Sequence, residues 1–392
     1  MYKIQTLNKI STLGLELLPR EDYEVASEIL NPDAVLVRSA NMLTMDIPQS
    51  VKAIARAGAG VNNVPVPLCS ERGIIVFNTP GANANGVKEL VIAGLLLSSR
   101  KVIPGILWAK GLVGKGDEVP KLIEKGKSDF VGPEIKGKRL GVIGLGAIGV
   151  MVANDAVELG MHVSGYDPYI SVEAAWGLSR NVKRARALDS LLAESDYITL
   201  HVPLNDQTKG LINRERLATV KKDLRILNFA RGGLVNNAAL REALASGIVS
   251  VYVTDFPDEE LLKLDNVVAF PHLGASTPEA EDNCAVMAVN QIRDFLENGN
   301  IKNAVNYPDC DMGVSRADGG RLLIANKNVP NMVGQMTTIL ASDKINISDM
   351  LNKHRGDLAY NIIDIDGKVG EPTLKKLKAT EGVIMVRFIE NQ

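Results

Sequence analysis

The sequence predicts an α/β protein built on parallel β-sheets, with a smaller α/β module at its C-terminal end. Short apolar strands alternate with helical segments over most of the first 300 residues, which is the pattern of repeated strand–helix units. A G-x-G-x-x-G turn at 144–149 lies between an apolar strand and a helical segment. Residues 321–392 then follow the order β-α-β-β-α-β, which is typical of a ferredoxin-like unit.

The individual strands are predicted from short β-branched, apolar runs bounded by turn residues. Before the glycine motif they lie at 34–38, 51–56 and 74–77. After it, separated by helical segments as in a doubly wound parallel sheet, the predicted strands are 140–143, 162–166, 197–202, 224–229, 250–254 and 267–270. A helical pattern at 278–297 is expected to return to the N-terminal domain.

The stretch 303–320 has little periodicity and predicts a linker before the C-terminal module. From pattern alone, that module is either a small stabilising or oligomerising unit, or a regulatory unit that binds a small ligand.

Composition indicates a globular protein and gives no reason to expect a nucleic-acid partner, because the formal net charge is -2. Cys69, Cys284 and Cys310 have neither paired nor metal-binding spacing, so we expect a reducing, cytoplasmic location and no metal. The N-terminus has no signal-peptide core, and the longest apolar run, 90–97, is too short for a membrane-spanning helix.

The glycine motif predicts dinucleotide binding. Gly144, Gly146 and Gly149 let the backbone turn tightly and approach a pyrophosphate at a helix N-terminus. Asp167 follows the next strand, 18 residues after Gly149. A carboxylate there accepts hydrogen bonds from the adenosine ribose and repels a 2′-phosphate, so NAD is expected rather than NADP.

Three predicted strand ends offer catalytic chemistry, because ligands of open α/β sheets bind beyond the carboxyl ends of the strands. His272 follows one strand and suits proton transfer near neutral pH. Arg231 follows another and is suited to bind a carboxylate through two parallel bonds. The acidic loop 255–260 follows a third and offers a carboxylate for the second imidazole nitrogen.

The other three histidines are weaker candidates. His162 lies within a strand and predicts a packing role, and His354 belongs to the C-terminal module. His201 ends a strand near the expected cofactor, so a contact with the site stays open.

In the first domain, Arg38 and Arg56 each end a predicted strand. Two cations at adjacent strand ends suit a phosphorylated substrate, while an ordinary surface position is the alternative.

Together these motifs resemble the D-2-hydroxyacid dehydrogenase family with a C-terminal ACT-type domain. The motifs are Val-Arg-Ser-Ala, Arg-Ala-Gly-x-Gly-Val-x-Asn, Gly-x-Gly-x-x-Gly with Tyr-Asp-Pro, Ala-Arg-Gly-Gly-x-Val and Pro-His-Leu-Gly-Ala-Ser-Thr. The resemblance implies a Rossmann NAD-binding domain inserted into a flavodoxin-like substrate domain. The implied ranges are 1–96 and 276–305 for the substrate domain, 97–275 for the NAD domain, 306–320 for a linker and 321–392 for the ACT-type domain.

The resemblance also implies roles for individual residues. Arg231, Glu260 and His272 resemble the catalytic set, although the loop after Glu260 looks short and Glu259 is an alternative partner for the histidine. The implied cofactor contacts are Gly144, Gly146, Ala147, Ile148, Gly149, Asp167, Val202, Phe229, Ala230, Asp255, Gly274 and Ala275. The implied substrate contacts are Arg38, Arg56, Ala59, Gly60 and Arg231.

The implied activity is NAD-dependent oxidation of 3-phosphoglycerate at the start of the phosphorylated route to serine. The alternatives are another 2-hydroxyacid dehydrogenase, acting on glycerate, lactate or 2-hydroxyglutarate, and a non-catalytic NADH-sensing scaffold. The resemblance implies a homodimer or homotetramer. It also suggests serine as an effector at Asn326, Asn328 and Asn346, but relatives inhibited by serine have histidine at the first of these positions. Asn331 stands where glycine is usual after proline, and asparagine tolerates the left-handed turn expected there.

Overall fold

A computed structural model describes residues 1–390 and divides the chain into two compact units. The inserted unit is Ala84–Thr277, and the discontinuous unit consists of Met1–Asn83 and Pro278–Gln392. The chain was expected to pass from the substrate domain to the inserted domain after residue 96. The crossing lies at 83–84 because the helix that begins at Ala84 buries Val87, Val91 and Leu95 in the core of the inserted unit.

The discontinuous unit begins with a five-stranded parallel sheet in the order β2-β1-β3-β4-β5. This order is the flavodoxin-like one that the resemblance implied. Two short N-terminal strands were not predicted, because 2–7 and 23–26 carry polar residues among the apolar ones. The elements are β1 (Tyr2–Leu7), α1 (Thr12–Leu15), β2 (Tyr23–Ala26), β3 (Ala34–Val37), β4 (Ala53–Arg56), α2 (Val66–Glu71) and β5 (Ile75–Phe77).

The inserted unit contains a seven-stranded parallel sheet in the order β12-β11-β10-β9-β6-β7-β8. Strand order reverses between β6 and β9, which confirms the predicted doubly wound (Rossmann) arrangement. The strands are β6 (Arg139–Ile143), β7 (His162–Tyr166), β8 (Lys183–Arg184), β9 (Tyr197–Leu200), β10 (Leu224–Asn228), β11 (Val249–Thr254) and β12 (Val267–Ala269). The helices are α3 (Ala84–Ser99), α4 (Val102–Lys110), α5 (Val119–Gly126), α6 (Ala147–Glu158), α7 (Val172–Gly177), α8 (Leu188–Glu194), α9 (Arg214–Leu217), α10 (Asn237–Ala245) and α11 (Glu259–Leu262), with short 3₁₀ turns at Gly116–Glu118, Lys127–Phe130 and Gly232–Leu234.

The long helix α12 (Pro278–Asn298) returns to the first sheet, as the helical pattern predicted. Its residues Ala288, Ile292 and Phe295 are fully buried in one core with residues of β3, β4 and β5. Phe295 packs edge-on against Phe77 of β5, with ring centroids 5.9 Å apart.

The C-terminal module is an antiparallel sheet in the order β14-β15-β13-β16 with two helices, so the predicted β-α-β-β-α-β order is confirmed. Asn331 starts its first helix in the left-handed region with φ 68°, as expected from the asparagine. The elements are β13 (Gly320–Lys327), α13 (Met332–Ser342), β14 (Asn346–Arg355), β15 (Leu358–Asp366), α14 (Glu371–Ala379) and β16 (Val383–Ile389).

The predicted linker 306–320 is instead partly packed. Tyr307 is fully buried and donates its hydroxyl to the carbonyl of Ser70, and the Asn306 side chain bonds the backbone of β5. Arg321 is buried, pairs bidentately with Asp364 at 2.6 and 2.9 Å, and donates to the carbonyls of Asn298 and Gly313. These contacts join the C-terminal sheet to the end of α12.

The segment that contains α4 and α5 buries none of its helical residues. Leu107 is 65% exposed and Val113 87% exposed, and Ile103 and Ile106 are also exposed. Among the described residues no single helix is long and apolar enough to cross a membrane. The helices α3 and α4 meet that length and apolarity only when they are counted together, and they are bent by 72° at their junction.

Candidate active site

The glycine motif lies at the point where the strand order of the inserted sheet reverses. Gly144 follows β6 with φ 92°, and a Cβ there would come within 2.7 Å of the backbone of His201, which follows β9. A Cβ on Gly149 would lie 1.9 Å from the Gly144 carbonyl oxygen. Only glycine permits this close approach of the loop to β9 and to the start of α6.

The N-terminus of α6 fits a dinucleotide pyrophosphate. Gly146 caps the helix without a side chain to accept the first amides, and nothing lies within 4 Å of a Cβ built on it. Gly146 and Ala147 are exposed and Ile148 is half-buried. The helix therefore presents N–H groups and a positive dipole end to an open cradle that suits an anion.

Asp167 follows β7, where the ribose acid was expected. Its carboxylate accepts the amides of Leu145 and Tyr169, both at 2.8 Å. These bonds fix the carboxylate beside the glycine loop, and each oxygen keeps a second lone pair that suits a ribose hydroxyl donor.

His201 and Val202 lie beside the loop. Burial lowers the pKa of His201 to about 3, so its imidazole is neutral at physiological pH. The ring bonds the Thr199 hydroxyl at 2.9 Å. A Cβ on Gly144 would contact a methyl group of Val202 at 2.9 Å. His201 and Val202 therefore both lie against the glycine loop, where the strand order of the sheet reverses.

Phe229, a predicted cofactor contact, has a buried side chain. The Phe229 side chain is 5% exposed and packs against Phe270, beneath Gly94 of α3, so it belongs to the core. Ala230 is positioned by buried Asn228, whose side chain accepts the Ala230 amide and donates to the Arg231 carbonyl.

The strand ends of β10, β11 and β12 bring the candidate catalytic residues to one edge of the sheet. These three strands are neighbours and parallel. The Arg231 guanidinium lies 5.8 Å from the ring centroid of Phe256, and the His272 imidazole lies 4.8 Å from the same centroid. Phe256 thus lies beside both the cation and the imidazole, and both functional side chains are exposed.

Asp255, which is 2% exposed, fixes the loop that carries His272. Its two carboxylate oxygens accept the amides of Leu273 and Gly274, at 2.8 and 2.9 Å. His272 itself adopts a left-handed conformation with φ 57°. Ala275 is half-buried just after this anchored turn.

The predicted contact between Glu260 and His272 is not formed in this structure, and the catalytic role of Glu260 stays a prediction. Glu260 lies in α11, and its exposed carboxylate bonds Lys263 at 2.7 Å and Arg241 at 3.2 Å. The bond to Lys263 is the main cause of its lowered pKa. The alternative, Glu259, also pairs with Lys263, at 3.3 Å. In α11, the carboxylates of Glu259 and Glu260 thus both pair with exposed cations.

In the discontinuous unit, Arg38 and Arg56 stand side by side, as the sequence predicted. Val37 of β3 pairs with Arg56 of β4, and the Arg56 Nε donates to the Arg38 carbonyl at 3.1 Å. A Cβ on Gly58 would lie 2.3 Å from an Arg56 guanidinium nitrogen, so this glycine makes room for that side chain. Ala59 is exposed and Gly60 half-exposed on the same loop, and Asn78 donates to the Ala59 carbonyl at 2.6 Å.

Sequence reasoning missed three residues near these groups. Phe256 gave no signal beyond its place in the acidic loop, and Gly58 looked like an ordinary turn glycine. Glu281 of α12 accepts a bond from the Arg38 guanidinium at 2.5 Å, although 243 residues separate them in the chain. That separation is why no local pattern indicated the ion pair.

The three candidate effector asparagines are not brought to one place in the chain. Asn326 is buried, accepts from Asn361 and donates to the Lys327 carbonyl. Asn326 pairs with Ala359 of β15, whereas Asn346 pairs with Asp366, roughly 20 Å farther along that strand. Asn328 donates to the Gly356 carbonyl at 3.1 Å, and an effector role for the three asparagines stays a prediction. No cluster of three or more metal-ligating side chains occurs among residues 1–390.

Comparisons with known proteins agree with this geometry. Residues 109–274 match the family described as "D-isomer specific 2-hydroxyacid dehydrogenase, NAD binding domain". The chain is 40% identical over 295 residues to a D-3-phosphoglycerate dehydrogenase of Methanocaldococcus jannaschii, covering 73% of this chain and 54% of that protein. It is 34% identical over 326 residues to the Bacillus subtilis enzyme of the same name, covering 79% and 59%.

A crystal structure of 3-phosphoglycerate dehydrogenase from Entamoeba histolytica with bound NAD⁺ superposes with a TM-score of 0.59 at 27% identity, covering 78% of this chain and 98% of that one. The chain spans somewhat more than half the length of the two curated relatives. Residues 109–274 thus match the NAD-binding domain of D-isomer specific 2-hydroxyacid dehydrogenases, in a chain similar to D-3-phosphoglycerate dehydrogenases over more than 70% of its length.

Proposed function

We propose that this protein is an NAD-dependent dehydrogenase that interconverts 3-phosphoglycerate and 3-phosphohydroxypyruvate, the first step of the phosphorylated route to serine. The observation that favours a phosphorylated substrate is the arginine pair at the ends of β3 and β4. Two guanidinium groups suit a dianionic phosphate because each supplies several charge-assisted donors. The curated relatives at 34–40% identity are named for this activity.

In this proposal, NAD supplies the acceptor for the hydride that leaves C2 of the substrate. The residues of the inserted unit supply binding and proton transfer. His272 takes the proton of the 2-hydroxyl group as a general base, and Arg231 binds the substrate carboxylate through charge-assisted bonds. Arg38 and Arg56 bind the phosphate.

Since Glu260 does not reach His272, the positioning of the imidazole rests on other groups. Asp255 holds the loop on which His272 is mounted, and Phe256 packs against the imidazole ring. The first contact holds the backbone just after His272, and the second gives the imidazole one packed neighbour, so together they restrict where the ring can lie.

The test is NADH formation or oxidation at 340 nm by purified protein. The panel contains 3-phosphoglycerate, 3-phosphohydroxypyruvate, glycerate, lactate and 2-oxoglutarate, each with and without serine. Preferred turnover of the phosphorylated pair supports the proposal. Turnover of unphosphorylated acids alone retains the chemistry but overturns the substrate.

Two variants separate the alternatives. Arg38→Ala with Arg56→Ala should raise KM for 3-phosphoglycerate strongly, whereas a glycerate or lactate dehydrogenase would lose little. His272→Asn should abolish turnover and preserve NADH binding. Wild-type protein that binds NADH but turns over no substrate would favour the sensing scaffold.

We further propose that the C-terminal module is an ACT-type regulatory domain and that the protein is a homodimer or homotetramer. The apolar surface around α4, with Ile106 and Leu107 exposed, supports self-association through the inserted unit. Analytical ultracentrifugation of wild type and Leu107→Asp tests this: a lower mass for the variant supports it, and a monomeric wild type overturns it.

A further inference from the structure

The Arg38 guanidinium already has an anionic partner. Its Nη2 donates one hydrogen bond, at 2.5 Å, to Oε1 of Glu281, which lies in the first turn of α12. The Arg38 side chain is 39% exposed and that of Glu281 45% exposed. An ion pair this exposed contributes little to stability and is readily exchanged for another anion.

The two arginines lie side by side at the ends of neighbouring strands. Arg56 donates its Nε to the Arg38 carbonyl at 3.1 Å, and Gly58 leaves room for its side chain. Arg38 is oriented by a carboxylate. A phosphate arriving at this pair therefore competes with Glu281 for one of its two guanidinium groups.

We propose that Glu281 is an intramolecular counter-ion that competes with the substrate phosphate for Arg38 and so sets the affinity of the phosphate subsite. This inference rests on the proposed function in taking Arg38 as a phosphate ligand. A dianionic phosphate displaces the carboxylate, because it forms charge-assisted bonds to both arginines while Glu281 makes one. The released carboxylate returns to water, to which nearly half of its surface is already open.

The competition has a defined consequence for binding and none for the chemical step. Each anion that needs Arg38 must displace Glu281, so its apparent affinity is lowered by the strength of the ion pair. A substrate with only a hydroxyl group at this end leaves the pair intact. Glu281 is thus a specificity-determining residue that acts on KM and leaves kcat unchanged.

The experiment compares wild type with Glu281→Gln, which keeps the shape of the side chain and removes its charge. We expect KM for 3-phosphoglycerate to fall about two- to five-fold, the range of an exposed ion pair, at unchanged kcat. The inhibition constant of inorganic phosphate should fall by the same factor, and KM for glycerate should not change. The matched control is Glu279→Gln, an exposed carboxylate in the same first turn for which the structure shows no ion pair.

An unchanged or raised KM for 3-phosphoglycerate in Glu281→Gln would overturn the inference, since Glu281 would then be inert or would support Arg38. An equal fall in Glu279→Gln would also overturn it, because a general change of surface charge would explain the effect. Titration with inorganic phosphate by calorimetry gives a readout that is independent of turnover. If wild type fails to oxidise 3-phosphoglycerate, the proposed function fails, while tighter phosphate binding by Glu281→Gln would still uphold the competition.

Discussion

Replacing Asp255 by asparagine tests whether this buried carboxylate positions the candidate proton-transfer residue. Asp255 accepts one backbone amide with each oxygen, from Leu273 and Gly274, directly after His272. Asparagine has the same shape but one acceptor oxygen, and its amino group would face the second N–H donor. One of the two hydrogen bonds to Leu273 and Gly274 is lost, and the new amino group is forced against the backbone N–H that made it.

The magnitude follows from these two contacts. A hydrogen bond to a charged group contributes about 1.5–3 kcal/mol, and an unsatisfied buried amide adds a cost of similar order. We expect the free energy of unfolding to fall by about 2–3 kcal/mol. Because the released loop carries His272, kcat should fall by about 10- to 100-fold, as for a displacement of roughly 1 Å at a reacting group.

Urea denaturation followed by circular dichroism measures the first effect, and the 340 nm assay measures the second. Asp265→Asn is the matched control, because Asp265 is exposed and lies in a loop of the same unit. A variant with unfolding free energy within about 0.5 kcal/mol of wild type and unchanged kcat would refute the positioning role of Asp255.

Three further predictions concern other parts of the chain. Gly58→Ala places a Cβ 2.3 Å from the Arg56 guanidinium, so KM for 3-phosphoglycerate should rise at least about ten-fold with little change in kcat; an unchanged KM would contradict the role of Arg56. Asp364→Asn leaves the buried Arg321 without its counter-charge, and chemical denaturation should show a loss of about 3–5 kcal/mol, which replacing both residues by apolar ones should largely avoid. Burial lowers the pKa of His201 from 6.5 to about 3. Between these two pH values the unfolded chain binds a proton at this imidazole and the folded chain does not, so the free energy of unfolding decreases as pH falls through this range. Melting curves of His201→Gln should therefore show a smaller loss of Tm between pH 7.5 and 5 than wild type, and equal losses would refute the assignment.

Much of the framework could be predicted from local patterns. The strand at 162–166 agrees with its predicted bounds, and 224–228 ends one residue earlier than predicted. Local pattern suffices there because each strand is a short apolar run bounded by turn residues. The edge strand β8 (Lys183–Arg184) was not predicted, since two exposed cations give no apolar period. The stretch 306–320 was predicted as a linker because its contacts, such as Tyr307 to Ser70, are distant in sequence.

The sequence by itself determined the dinucleotide turn, the order of strands and helices in the C-terminal module, and the placing of Arg231, Asp255 and His272 at strand ends. These features depend on residue type and on spacing over a few residues, and both are visible in the sequence itself. Only the tertiary structure decided which side chains meet. Glu260 turned to Lys263 and Arg241 instead of His272, and Arg38 acquired Glu281 as its partner. The partner of Arg38 depends on the approach of two elements 243 residues apart, which no local period records, whereas Lys263 is a local i,i+3 partner that competes for Glu260.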